Sequence, residues 1–168
     1  MQLKKSGLIL ALFLGCISLA ACVGGIQDNN NTRSNSGETA PAADVNANVA
    51  KTNVEELGML VNVPYESEEA FWKEDPASKK VIAVLRFPKP ESNRLITDAE
   101  KIGPPREVSI TPETWFPPEL IAQSETSGDD LLKGQAYPAN SFFQPPYNEG
   151  RITRIENTDY FVLELNAK

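Results

Sequence analysis

The distribution of aromatic side chains decides which part of this chain can fold. Twelve of the thirteen lie beyond Val54, and residues 23–53 contain none. That earlier stretch, VGGIQDNNNTRSNSGETAPAADVNANVAKTN, has seven asparagines, and its apolar members are mostly Ala and Val without helical or alternating spacing. It cannot bury enough surface to offset the entropy lost on ordering, so the sequence predicts a disordered linker over 23–53. As a random coil the linker has a reach of about 30 Å. Residues 54–168 are expected to form a single globular domain, which buries roughly two-thirds of its unfolded surface.

Within that domain the clearest strand is Lys80–Phe87, β-branched and almost continuously apolar, as in a strand covered on both faces. Pro88 and Pro90 end it. Ile152–Ile155 and Tyr160–Leu165 flank the polar turn Glu156-Asn157-Thr158-Asp159 and read as a hairpin. Phe161, Leu163 and Leu165 alternate onto one face. Ile152 and Ile155 differ in parity, which suggests a bulge in that arm. Met59–Val63 and Arg106–Thr111 are shorter strand candidates. Helix signals are brief. Ser67 is positioned to cap Glu68–Lys73, and Thr97-Asp98-Ala99-Glu100 is a capping-box pattern that Gly103-Pro104-Pro105 soon stops. Thr111-Pro112 and Pro117-Pro118 can each start a helical turn. The expected class is α+β: a small, mainly antiparallel sheet with short helices and proline-rich loops.

The N-terminus carries a different signal. Lys4 and Lys5 precede an apolar run from Gly7 to Ala21, closed by Leu19-Ala20-Ala21-Cys22. Fifteen helical residues reach about 22 Å, short of the ~30 Å hydrocarbon core of a bilayer. The charged start, short apolar run and small residues before the cysteine resemble the signal peptide and lipobox of a bacterial lipoprotein. The resemblance covers residues 1–22 only. It implies a signal peptide over 1–21, with cleavage between Ala21 and Cys22. It also implies a diacylglyceryl group on the Cys22 sulfur, often with a further acyl chain of the palmitate class on the new amino terminus. Two or three chains hold stably where one holds only marginally. Val23, in place of an Asp, points to the outer membrane facing the periplasm in a cell that has one. Two other readings of the segment are an uncleaved transmembrane anchor and a plain secretory signal. The second leaves Cys22 as a lone exported thiol.

Composition removes several function classes. The leader takes two lysines and no acid from a chain of net charge −7, which leaves the processed protein near −9. Such charge disfavours nucleic acid, which is bound by neutralising phosphates, and a polybasic hold on anionic lipid. The chain has no histidine, so Ser–His and Cys–His pairs and histidine-ligated metals are absent. No catalytic residue, metal site or cofactor is expected.

Carboxylates cluster at Glu55/Glu56, Glu66/Glu68/Glu69, Glu74/Asp75 and Asp129/Asp130. A glycosidase needs two acids facing each other across a cleft, and no spacing here sets them so. Ser124–Asp130 is oxygen-rich without calcium-loop spacing. Two proline–aromatic segments stand out, Trp115-Phe116-Pro117-Pro118 and Tyr137–Tyr147, the second containing Phe142 and Phe143. Their rings either pack into the core or, exposed together, form an apolar contact surface for a partner. Arg151 and Arg154 sit three apart and so face opposite sides of a strand, where they cannot form one anion clamp. Lys79 and Lys80 are read as guards of a strand end.

These features favour a lipid-anchored envelope protein whose domain is a non-enzymatic binding or assembly module. Its partners are membrane lipid through Cys22 and another envelope protein. The competing expectations are a carboxylate-dependent hydrolase of envelope polysaccharide and an inhibitor or immunity-type lipoprotein.

Overall fold

The structure is a computed structural model that describes residues 49–168. The expected signal peptide, Ala21, Cys22 and the expected linker as far as residue 48 lie outside the described residues. The domain is α+β, built on a six-stranded antiparallel sheet of order β1-β2-β6-β5-β4-β3. The strands are β1 (Glu69–Asp75), β2 (Lys80–Arg86), β3 (Arg106–Ile110), β4 (Leu132–Pro138), β5 (Tyr147–Ile155) and β6 (Tyr160–Ala167). Three helices, α1 (Val54–Leu60), α2 (Lys89–Glu100) and α3 (Pro118–Ser127), and a 3₁₀ turn at Asn140–Phe142 complete it. None of these helices is long and apolar enough to cross a membrane.

The expected β2 and the hairpin formed by β5 and β6 are present. From Glu69 onward the segment after Ser67 forms β1 rather than a helix. Seven residue pairs from Glu69↔Arg86 to Asp75↔Lys80 tie this segment to β2, and tertiary pairing outweighs a weak local cap signal. Ser67 Oγ is buried without a partner among the described residues instead of capping a helix. The turn into β2 is held by the Asp75 carboxylate, which accepts from Ala77 N and Ser78 N at 3.0 and 3.3 Å. Lys79 there adopts a φ of 51°.

Three other expectations are corrected. Met59 and Leu60 end α1 instead of opening a strand. Asn53 Oδ1 accepts from Glu55 N and Glu56 N at 2.8 and 3.1 Å, and the two acids complement the helix dipole. The helix through Thr97 starts at Lys89, with Pro90 in its first turn, so the capping-box motif lies inside it; Thr97 Oγ1 donates to Asn93 O at 2.9 Å. The stop near Gly103-Pro104-Pro105 is as expected. Thr111-Pro112 begins no helix, whereas Pro117-Pro118 opens α3.

Both sheet faces are covered. Leu57, Tyr65, Leu95, Ala99 and Phe142 pack with Trp72, Val81, Leu85, Ile152, Phe161, Leu163 and Leu165 on one face. An aromatic chain runs through this layer, with centroids 5.8 Å apart for Tyr65–Phe142 and 5.4 Å for Phe87–Phe161. Trp115, Phe116 and Leu120 cover Val84, Ile110, Leu132, Ile155, Tyr160 and Val162 on the other. This explains the parity of Ile152 and Ile155: each faces its own core, and no bulge lies between them. The register shift in β5 falls earlier, between Tyr147 and Glu149. The folded body begins just inside the expected linker. Lys51 and Trp72 exchange backbone hydrogen bonds of 2.9 and 2.8 Å, and Trp72 Nε1 donates to Asn53 O at 3.0 Å.

Candidate functional site

The proline–aromatic residues do not form a contact surface. Trp115, Phe116, Tyr137, Phe142 and Tyr147 are all buried, Phe142 completely, and Phe143 is half-buried. Trp115 and Phe116 stack edge to face at 4.8 Å beneath α3, while Phe142 and Tyr147 belong to the core on the opposite face. Of the two alternatives for these rings, packing into the core is the one observed, and the two segments are separated by the sheet. Burial of each large ring stabilises the fold by about 1.5–3 kcal/mol.

The acid clusters are also used structurally. Glu68 and Glu69 pair with Arg86 at 3.1 and 2.8 Å, and Glu69 accepts from Tyr160 Oη at 3.0 Å. Glu74 accepts from Tyr147 Oη at 2.6 Å. The carboxyls of Asp75, Asp98 and Asp129 titrate below the usual range, chiefly through hydrogen bonds from Ser78, Lys101 and Ser127 respectively. A general acid needs the opposite shift. No group of three or more acids and cysteines is set to hold a metal ion among the described residues.

A different site emerges on the α3 side of the sheet. Cross-strand register places Phe71, Val84, Val162, Thr153, Ala136 and Arg106 in one row, and Lys73, Ile82, Glu164, Arg151 and Pro138 in the next. The α3 roof and the Trp115–Phe116 pair cover the end of this face that holds Leu132, Ile110, Ile155 and Tyr160. The other end is open and polar. The face is thus divided across its strands into an apolar half and a charged half.

In the open half Glu164 is the organising residue. Its Oε2 lies 2.6 Å from Arg151 Nε and its Oε1 3.4 Å from Lys80 Nζ, with the Glu164 side chain only 17% exposed. Lys80 therefore completes an ion triad instead of merely guarding a strand end. Arg106, at the start of β3, has no ion-pair partner among the described residues. Arg106 and Arg151 line one cleft of about 370 Å³, with Gly103, Pro104, Val108, Ala136, Pro138 and Gly150. The cleft continues past Gly150 and Arg151 to Glu164 and Lys80.

Small residues make this trough. β4 runs between the two arginines and contributes Ala136, Tyr137 and Pro138 to the lining, with Ala136 and Pro138 at the register positions of this face. Gly150, at φ 149°, lies against β6 where a Cβ would overlap the Glu164 carbonyl oxygen. The strand irregularity at residues 147–149 adjoins the same point, as bulges often do beside functional sites. The opposite facing of Arg151 and Arg154 follows the strand alternation: Arg151 pairs with Glu164, Arg154 with the core residue Phe161. Arg106, Glu164 and the cleft itself were not identified from sequence. The local signal was only a lone arginine after two prolines, which strand pairing alone brings toward Arg151.

No known protein family, curated protein or solved structure matches this chain.

Proposed function

We propose that this protein is a lipid-anchored component of the bacterial cell envelope, whose domain is a non-enzymatic binding or assembly module. The observation that carries this reading is Leu19-Ala20-Ala21-Cys22 after a short apolar run, which supplies a lipidation site at Cys22. Between Cys22 and Ala50, which packs against the domain, lie residues 23–49, enough chain to hold the body away from a lipid surface. The open, charged half of the α3-side face is the surface through which the domain binds. Support comes from the use of charged groups: Glu68, Glu69 and Asp75 serve as ion-pair partners and a turn cap, whereas Arg106 and the terminal nitrogens of Arg151 stand at an accessible cleft.

The anchor is tested by intact mass of the protein extracted from membranes. The expected species begins at Cys22 and carries the added mass of two or three acyl chains. A mass equal to the bare polypeptide, or a different first residue, overturns the anchor. The module is tested by cross-linking in intact cells, which is expected to recover one consistent envelope partner. Recovery of the monomer alone under several growth conditions overturns that part.

A further inference from the structure

We propose that the cleft between Arg106 and Arg151 binds a phosphate-type oxyanion. This rests on the reading of the open half-face as the binding surface and is independent of the anchor. Register places the two Cα atoms on either side of β4, roughly 12 Å apart for strands about 4.8 Å apart and a two-residue offset. Two extended arginine side chains can converge from that separation on one group above Ala136 and Pro138.

The donors are prepared for this. Glu164 takes Nε of Arg151 and so fixes the direction of its guanidinium, while no other hydrogen bond or ion pair of that side chain is present among the described residues. The two terminal nitrogens remain available as donors. Lys80 meets the other Glu164 oxygen, so the carboxylate is engaged on both sides and is less able to repel a second anion. Lys80 and Arg151 flank this one carboxylate, and Arg106 stands beyond Arg151 in the adjoining cleft, in a chain that is otherwise strongly acidic.

The ligand chemistry follows from the donors. A carboxylate brings one charge and two oxygens in a single plane, so it presents one edge for a bidentate arginine fork. A phosphate offers three or more oxygens and up to two charges, and can accept two forks at once. The cleft volume falls in the range of small-ligand sites. The phosphate is either free in solution or borne on a lipid headgroup.

The test uses the full mature lipoprotein in neutral phosphatidylcholine nanodiscs, titrated calorimetrically with inorganic phosphate. Saturable one-site binding is expected. Arg106→Gln and Arg151→Gln should each weaken it about tenfold or more, as expected for loss of a charge-assisted pair. Arg154→Gln, on the opposite face, should leave it unchanged. Arg106→Lys and Arg151→Lys keep the charge and test the fork geometry if a glutamine variant fails to fold, which circular dichroism reports. They too should bind more weakly. In a second arm, phosphatidic acid in the nanodisc either competes with free phosphate through the same arginines, which assigns the headgroup as the source, or does not, which assigns the free ion. Absence of binding in both arms, equal binding in wild type and both glutamine variants, or full affinity in the lysine variants overturns the proposal. Lost phosphate binding with an acylated chain that still captures its partner leaves the proposed function standing. Retained phosphate binding without acylation removes only the anchor.

Discussion

Arg151 and Glu164 face each other across β5 and β6, with Nε 2.6 Å from Oε2, and this contact turns a surface arginine into a fixed donor. Lys80 shares the same carboxylate from β2. Glu164→Gln should therefore free both cations and lower stability by about 1 kcal/mol, a modest figure because Arg151 and Lys80 remain partly in solvent. Urea unfolding at low and high salt measures it. The loss should shrink as salt rises, and a variant as stable as the parent at low salt rejects the triad.

Tyr147 and Tyr160 set an alkaline limit to the fold. Both phenols are pushed up to about 12, first by burial and then by the carboxylates of Glu74 and Glu69 that accept from them. In the unfolded chain a tyrosine ionises near 10. The folded state favours the neutral form, so this stabilisation is full below pH 10 and is lost as pH rises from 10 to 12, by up to about 1.4 kcal/mol per pH unit for each ring. Burial also raises Tyr65 and Tyr137. Tyrosinate absorbance should thus appear together with loss of near-ultraviolet circular dichroism. Because burial is the larger cause, Glu74→Gln should lower the Tyr147 value only part of the way to 10. Independent titration of the rings near pH 10 in a folded protein contradicts this.

Thr153 is fully buried on β5, and its Oγ1 has no hydrogen-bond partner among the described residues. Thr153→Val keeps the β-branched shape and removes the unsatisfied hydroxyl, so the protein should gain about 1 kcal/mol. Thr153→Ala should not gain, since it leaves a void beside Gly134 and Val162. Thermal unfolding of the two variants separates these outcomes; equal destabilisation by both shows that the hydroxyl is satisfied.

Gly150→Ala should be among the most damaging single changes. The new methyl group meets the Glu164 carbonyl oxygen and lies 2.7 Å from Leu165 Cδ2, at a φ of 149°. Neither the backbone nor the packed leucine can yield without moving β6, and a loss of about 3 kcal/mol or more is expected. Amide exchange of β5 and β6 locates the effect. Parent-like protection there shows that the bulge absorbs the side chain.

The elements with the strongest periodicity were legible. The β2 run and the alternation Phe161, Leu163, Leu165 read correctly because burial on a pleated surface leaves a direct pattern. Segments with mixed signals did not. Ser67 and the acids after it suit a helix start, yet the chain from Glu69 forms an edge strand because seven pairings with β2 outweigh one absent cap. The α1 helix was missed because its end at Met59-Leu60 is as apolar as a strand. The rings of Trp115 and Phe142 were open to two readings, since sequence does not reveal which side of a sheet a loop covers.

The sequence by itself determined the lipobox resemblance, the aromatic-rich domain beyond Val54, the α+β class, the strongest strands and the impossibility of an Arg151–Arg154 clamp. All of these depend on local composition or on the fixed two-residue period of a strand. Only the tertiary structure decided that Arg106 shares a cleft with Arg151, that Glu164 holds one of them, and that the proline–aromatic segments lie on opposite sides of the sheet. Those relations depend on strand order and register, which are set by how two cores pack against one sheet and leave no trace in the spacing of the residues concerned.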